Sequence, residues 1–159
     1  MSFVRTILYA TDFSDCSKAA FRVACSLARE TGARLMVVHV APSTVFVAPF
    51  VTVPMNPVID VSDHLRGMLA KTQPSDPFIR VDRHLCEGDP ATEIVRLADE
   101  AHADLIVLGT HGRSGIGRLL LGSVAEQVLR KATCPVLTVR APLTTAAPSR
   151  ASNEAAVTS

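Results

Sequence analysis

Apolar residues along this chain form short continuous runs, separated by longer segments in which they recur at helical spacing. The short runs cover residues 4–10, 35–40, 104–108 and 135–139. Their length and β-branched content predict strands, and the first three are expected to be buried. Residues 79–85 alternate apolar with polar side chains, which predicts a fifth strand near the edge of a sheet.

Helix start and stop signals occupy the segments between these runs. Ser14 is suited to cap a helix that begins at the next residue, and Gly32 is suited to end it because glycine adopts left-handed backbone readily. The other three helices are expected over about residues 58–71, from the Asp89-Pro90 pair onward, and over about residues 123–131.

The elements alternate as β-α-β-α-β-α-β-α-β, which is typical of the α/β class. We therefore expect a single, doubly wound, five-stranded parallel sheet with helices on both faces, a Rossmann-like and nucleotide-binding architecture. Residues 1–140 are expected to form this one domain. Residues 141–159 are mainly Ala, Ser, Thr and Pro, which predicts a disordered tail.

Composition excludes several classes of partner. Residues 35–59 lack Asp, Glu, Lys and Arg, but four prolines interrupt them, so we expect a strand and a loop over 41–57 rather than a membrane span. Lys plus Arg number 16 and Asp plus Glu number 15, a net charge of +1, which argues against a nucleic-acid partner. The four cysteines form no C-x-x-C pair, so reduced thiols in the cytoplasm are expected.

The most informative segment is a glycine-rich stretch, residues 109–124, which joins a predicted strand to a predicted helix. The first amides of a helix have no partner within it, and the helix dipole favours an anion there. Glycines let the backbone approach a phosphate closely, the Ser123 hydroxyl can donate, and Arg113 and Arg118 can screen charge. The stretch therefore predicts an anion site, and the expected anion is a nucleotide phosphate chain.

Other glycine motifs fit this stretch poorly. Gly117 and Gly122 have the spacing of a Walker A loop, but Ser123 stands where its lysine is required. Gly115 and Gly117 lack the third glycine of a dinucleotide fingerprint. A GXXG of the RNA-binding KH type can be read from Gly112, but the surrounding pattern and the charge do not suit that module.

The spacing Gly109, Gly112, Gly122, Ser123 follows G-x2-G-x9-G-[ST], which resembles the nucleotide-binding motif of the universal stress protein family. The strand that runs into Thr11-Asp12 and the strands at 35–40, 104–109 and 134–139 are also similar to that family. The resemblance covers about residues 2–140.

The resemblance implies a site for ATP, with Mg²⁺ on its phosphates and Asp12 as a metal-ligand candidate. Adenine would lie by Val40, ribose by Asp12, and the phosphates at Gly122, Ser123 and Val124. Ala10 stands where many family members have proline. The full set of implied nucleotide-binding residues is Ala10, Thr11, Asp12, Val40, Gly109, Thr110, His111, Gly112, Arg113, Gly122, Ser123 and Val124.

Several alternatives stay open at this point. Asp12 could cap the first helix, Gly109 and Gly112 could serve turn geometry alone, and Ser123 is a good N-cap with or without a ligand. The function implied by the resemblance is a nucleotide-binding stress-response regulator with an unknown regulatory protein partner. A slow ATPase and a module that binds no nucleotide are the alternatives. An unpaired edge strand and the resemblance both predict a homodimer through residues 135–140.

Overall fold

The structure is a computed structural model that describes residues 4–43, 61–110 and 121–140. Within these residues strands and helices alternate as the sequence predicts. The elements in chain order are β1 (Thr6–Ala10), α1 (Asp15–Thr31), β2 (Arg34–Ala41), α2 (Val61–Lys71), β3 (Val81–Glu87), α3 (Pro90–Glu100), β4 (Leu105–Gly109), α4 (Ser123–Lys131) and β5 (Val136–Val139).

The sheet is parallel throughout and has the strand order β3-β2-β1-β4-β5. The chain runs outward from the central β1 to β3, then returns to the other side of β1 at β4. This reversal confirms the predicted doubly wound α/β fold, and it creates a crevice beyond the carboxyl ends of β1 and β4. The alternating strand β3 lies at an edge, as predicted.

The two faces of the sheet have separate cores. Ile7 and Tyr9 of β1 pack with α1 and α2, whereas Leu8 and Ala10 pack with α3 and α4. This alternation follows from the two-residue period of a strand. In α2, which the sequence predicts over about residues 58–71, Leu69 is buried whereas Val61 is 62% exposed.

Three of the predicted helix ends are confirmed. The Ser14 side chain caps α1 by accepting from Ser17 N at 3.2 Å, and Gly32 ends the helix with a φ of 71°. Asp89 caps α3 by accepting from Thr92 N at 2.9 Å, with Pro90 in the first helical position.

One predicted helix cap and one predicted strand boundary are corrected by the structure, and other predictions concern residues that it does not describe. Ser123 is not the N-cap of α4: Gly122 holds that position and Ser123 is the first helical residue. Strand β3 begins two residues later than predicted. Most of the predicted loop 41–57, the start of the second predicted helix and the tail 141–159 lie outside the described residues. No helix in the described part of the chain is long and apolar enough to cross a membrane.

Candidate functional site

A pocket of about 200 Å³ opens beyond the carboxyl ends of β1, β2 and β4, where the strand order reverses. This is the place where doubly wound sheets bind ligands. Nine of the twelve residues expected at a nucleotide site line it: Ala10, Thr11, Asp12, Val40, Gly109, Thr110, Gly122, Ser123 and Val124. The other three, His111, Gly112 and Arg113, lie outside the described residues.

The rest of the described lining was not anticipated from the sequence. Val38, Leu108 and Ala125 extend the apolar wall, and Pro90 and Ile94 bring the first turn of α3 into it. Two polar residues, Ser17 and His39, complete the described lining. Val38 was detectable, because it lies two residues before Val40 and therefore on the same face of β2. The start of α3 was detectable as well, because the helix that follows β3 begins at the same edge of the sheet.

Hydrogen bonds fix the turn from β1 into α1. Thr11 N donates to Val38 O at 2.8 Å, which ties the turn to β2. The Thr11 hydroxyl accepts from Phe13 N at 3.0 Å, and Asp12 Oδ1 accepts from Ser14 N at 3.0 Å. Asp12 therefore closes the turn and does not cap the helix, a role that Ser14 takes. Phe13 has a φ of 63°, a conformation that side chains disfavour and that is held only where the surroundings require it.

His39, to which the sequence assigned no role, holds the same turn from the side. Its Nδ1 lies 2.7 Å from Thr11 O, and its ring lies 4.5 Å from the Phe13 ring. The carbonyl oxygen can only accept, so Nδ1 carries the hydrogen. Nothing in the local sequence signals this contact, because it depends on the pairing of β1 with β2.

Gly109 is explained by packing and not by turn geometry. A Cβ atom at this position would lie 3.1 Å from the Cys16 carbonyl carbon, 3.1 Å from Cys16 Sγ and 3.2 Å from Ser17 N. The end of β4 thus touches the first turn of α1, and a side chain at this position would force one of the two to move by a few tenths of an ångström. This contact brings the β1–α1 turn beside Thr110.

The start of α4 is joined to the end of β4 by one short bond. Gly122 N donates to Thr110 O at 2.6 Å. No side chain caps the helix, and the amides of Ser123, Val124 and Ala125 have no hydrogen-bond partner in the described part of the chain. Three donors at the positive end of a helix therefore border the pocket, an arrangement that suits an anion.

The closing strand is linked directly to the pocket. Val139 O accepts from Thr110 N at 2.9 Å and from Cys16 Sγ at 3.2 Å. Thr110 is 4% exposed, so its backbone connects β5 with the start of α4 inside the protein. A displacement of β5 would therefore disturb the pocket.

Among the described residues that line the pocket, Asp12 is the one with a carboxylate side chain. Its Oδ1 is engaged by Ser14 N, which leaves Oδ2 for another partner. Within the described ranges no three His, Cys, Asp or Glu side chains cluster as a metal site.

Comparisons with known proteins identify the family of this chain. Residues 4–140 match the model of the Universal stress protein family. A universal stress protein of Methanocaldococcus jannaschii is 38% identical over 145 residues, which are 87% of this chain and 83% of that protein.

Two solved structures resemble this fold and contain nucleotides. A universal stress protein in complex with cAMP has a TM-score of 0.63 and 26% identity, and the match covers 87% of this chain and 98% of that one. The universal stress protein from Archaeoglobus fulgidus in complex with dAMP has a TM-score of 0.57 and 26% identity, with coverage of 87% and 99%.

Proposed function

Because the chain belongs to the universal stress protein family, we propose that it is an ATP-binding stress-response regulator that acts as a molecular switch through partner contacts. One observation carries the proposal. The described residues of the glycine motif and those of the β1–α1 turn, far apart in sequence, line a single pocket beside the open amides of α4.

The pocket offers a different environment to each part of a nucleotide. Val38, Val40, Ile94 and Leu108 provide an apolar wall for the flat base. Asp12 accepts hydrogen bonds from the ribose hydroxyls. The phosphates lie at Gly122, Ser123 and Val124, where the open amides and the helix dipole stabilise negative charge. The proposal also assigns His111, Gly112 and Arg113 of the glycine motif to nucleotide binding. Relatives in complex with cAMP and dAMP support an adenine nucleotide as the ligand.

The residues present fit Mg²⁺ that arrives with ATP. Mg²⁺ is commonly held by one or two carboxylates together with substrate phosphates and water. Asp12 lines the pocket, and among the described residues only its Oδ1 has a protein partner, so Oδ2 would serve Mg²⁺ in place of the ribose contact. Bound there, Mg²⁺ would neutralise phosphate charge.

Nucleotide content tests the proposed function. The protein is purified without added nucleotide and denatured, and the released molecules are identified by chromatography and mass spectrometry. Gly122→Val is compared with it, because φ −59° and ψ 148° at Gly122 are open to any residue, so valine obstructs space without straining the backbone. Gly67→Val is the matched control, since a Cβ there meets no atom within 4 Å.

About one ATP per chain, lost in Gly122→Val and retained in Gly67→Val, is the expected result. If no nucleotide is released and added ATP shows no saturable binding at millimolar concentration, the protein is instead an interaction module of this fold. Release of inorganic phosphate from ATP, compared with Asp12→Ala, tests slow hydrolysis in the same samples.

We also propose a homodimer through residues 135–140. Edge strand β3 carries the exposed charges Asp82, Arg83 and Glu87, whereas β5 is uncharged and half-buried. Charged side chains protect a sheet edge from pairing. Pro135 O and Val139 O face β4, so the backbone groups of Thr138 face outward by the alternation along a strand. A two-fold axis would pair them with those of a second copy.

Sedimentation velocity tests the dimer. A species of twice the 16.9 kDa chain mass is expected for the wild type and for Thr138→Val, which keeps the outward N–H. Thr138→Pro removes that N–H and is expected to sediment as a monomer. A wild-type monomer at micromolar concentration would contradict the proposal.

We propose the cytoplasm as the compartment. No disulfide joins Cys16, Cys25, Cys86 or Cys134, which is usual for cysteines in a reducing compartment.

A further inference from the structure

An open groove runs along one side of α1, on the face of the sheet where α2 also packs. It consists of two adjoining depressions of about 410 and 460 Å³. Phe21 and Gln73 line both depressions, so the two are continuous. Helix α1 forms one wall, and the end of α2 with the loop that follows it forms the other. We call this feature the α1 groove.

The floor of the α1 groove is apolar and partly aromatic. The rings of Tyr9 and Phe21 pack with 5.1 Å between their centroids, and Phe13 and Met68 line the same depression. Ile79 continues the apolar surface into the other depression. Aromatic residues and methionine are enriched at the centres of protein interfaces. The floor therefore suits the apolar side chains of a polypeptide.

The rim of the α1 groove is positively charged. Lys18, Arg22 and Arg29 follow one stripe of α1, at intervals of four and seven residues, and Lys71 lies at the end of α2. All four side chains are exposed. Lys18 pairs with Asp15 at 2.9 Å. The other three have no ion pair within the described ranges.

Little negative charge offsets this rim. Asp76 is the one carboxylate among the described residues that line the groove, and its Oδ1 already accepts from Phe78 N at 2.9 Å. The net charge of the whole chain is only +1, so the groove concentrates positive charge that the composition does not reveal. A patch of one sign attracts and orients a partner of the opposite sign.

The length of the groove favours a polypeptide segment over a small anion. Residues 18–29 of α1 span about 17 Å at the rise of an α-helix, which an extended chain of about five residues covers. Segments of this chain outside the described residues do not match the charge: residues 44–59 carry no acidic side chain, and residues 141–159 carry one glutamate and one arginine. A second copy would bring the same positive rim.

We propose that the α1 groove is a docking site for an acidic segment of a partner protein, whose carboxylates pair with Arg22, Arg29 and Lys71 while its apolar side chains contact the floor. The inference rests on the proposed function, because it identifies the surface for the partner contacts named there. Thr11 of the β1–α1 turn lines both the nucleotide pocket and the groove, so the two sites adjoin.

Selection from a library of random peptides displayed on phage tests the chemistry of the occupant. The full chain and its Arg22→Gln, Arg29→Gln double variant are used as parallel targets. Sequences enriched by the wild type should be rich in Asp and Glu and contain apolar residues, and the double variant should not enrich them. No enrichment, sequences without an excess of acid, or equal enrichment by both proteins would overturn the proposal.

Fluorescence anisotropy of an enriched, dye-labelled acidic peptide measures the contribution of each cation. Arg22→Gln and Arg29→Gln should each weaken binding about 2- to 5-fold, the worth of a partly exposed ion pair, and added salt should weaken it further by screening. Arg66→Gln is the matched control, because Arg66 pairs with Asp63 at 3.5 Å on the surface of α2 and does not line the groove. An equal loss in all three variants would contradict docking in the groove.

Met68→Gln tests the floor with the same peptide. It keeps the length of the side chain and removes its apolar end, so binding should weaken about 3- to 10-fold. Leu129→Gln is its control, because Leu129 is 44% exposed on α4 and lies outside the groove. Urea unfolding of each variant checks that it is folded. Unchanged affinity of folded Met68→Gln would overturn the assignment of the floor.

Amide chemical shifts of the wild type locate the bound peptide without any substitution. The shifts should change in α1 and over residues 68–79, which form the walls of the groove. They should stay constant in α3 and α4, which pack on the opposite face of the sheet. Changes centred on α3 and α4 would overturn the proposal even if the peptide binds tightly.

ATP titration separates this inference from the proposed function. Arg22→Gln and Arg29→Gln should bind ATP as the wild type does, since neither residue lines the nucleotide pocket. If ATP binds and no acidic peptide does, the docking site is overturned and the proposed function stands; if an acidic peptide docks and ATP does not bind, the reverse holds. A thymidine DNA oligomer that binds the groove more tightly than every peptide would also overturn the proposal, because the occupant would then be a nucleic acid.

Discussion

The close contact between Gly109 and the start of α1 predicts what replacing this glycine would do. It ends β4 at the point where the first turn of α1 crosses the sheet. Alanine there would place Cβ 3.1 Å from the Cys16 carbonyl carbon and 3.1 Å from its Sγ. Non-bonded carbon atoms prefer roughly 3.5–4.0 Å, so either the helix or the strand must move by about 0.4 Å or more.

Two opposing effects decide the free energy of Gly109→Ala. Removing backbone freedom from the unfolded chain stabilises by about 0.5–1 kcal/mol. Overpacking costs about 1–3 kcal/mol where neighbours cannot retreat. Here they are held, because Cys16 Sγ donates to Val139 O and Ser17 Oγ donates to Thr11. Overpacking therefore dominates, and we expect a net loss of about 1–2 kcal/mol.

Urea unfolding monitored by circular dichroism measures this difference. The midpoint should fall with an unchanged slope, and the melting temperature should fall by about 2–6 °C. Gly67→Ala is the matched control. Gly67 lies inside α2 with no atom within 4 Å of an added Cβ, so alanine should stabilise the helix by about 0.5–1 kcal/mol.

The two glycines should therefore respond with opposite signs to the same substitution. A Gly109→Ala protein as stable as the wild type would refute the packing argument, because it would show that α1 can move away from β4 without cost. ATP titration of the same protein adds a second check: a displaced helix start should weaken binding, since Ser17 and Asp12 move with it.

Three further predictions concern other contacts. His39→Asn keeps a donor near Thr11 O, whereas His39→Phe loses it. Only the phenylalanine variant should therefore lose about 1 kcal/mol of unfolding free energy in urea and bind ATP more weakly. Equal stability and affinity of the two variants would contradict the role of His39. Backbone amides at the start of β1 donate to Asp104 Oδ2 at 2.8 and 2.9 Å and hold the pKa of that carboxyl below its usual range. Asp104→Ala should thus cost about 1 kcal/mol at pH 7. This stability is present above the unfolded pKa near 4 and is lost as pH falls through the lowered folded pKa, so the variant and the wild type should converge in acid; a constant difference would exclude the ionised form as the cause. Gly32→Ala forces a side chain into left-handed backbone at a φ of 71° and should lower stability by about 1 kcal/mol, measured as a lower melting temperature, whereas an unchanged one would mean that the helix end rearranges.

Local chemistry made the fold predictable. A parallel strand buried on both faces appears as an apolar run, and the structure confirms such runs at β1, β2 and β4. The Ser14 cap, the Gly32 stop and the Asp89-Pro90 start each depend on neighbours within a few residues, so they could be identified from the sequence alone.

Contacts between distant segments were not predictable in the same way. His39 holds the β1–α1 turn only because β2 pairs with β1. The preference for glycine at position 109 arises from contact with Cys16 in α1, which is distant in sequence. The helix start at Ser123 was predicted, but the suggestion that Ser123 is its N-cap was wrong. Glycine and serine are both acceptable N-caps, and the bond from Gly122 N to Thr110 O places Gly122 in that position.

The central position of β1 has a consequence for synthesis on the ribosome. All five residues of β1 are buried, and the strand pairs with β2 on one side and β4 on the other. The bond between Arg5 N and Asp104 spans 99 residues. At about 5–20 residues per second, roughly 5–20 s pass between the emergence of β1 and that of its second neighbour. During that interval the nascent chain presents one unpaired apolar strand edge, so the first strand to be translated is among the last to be enclosed.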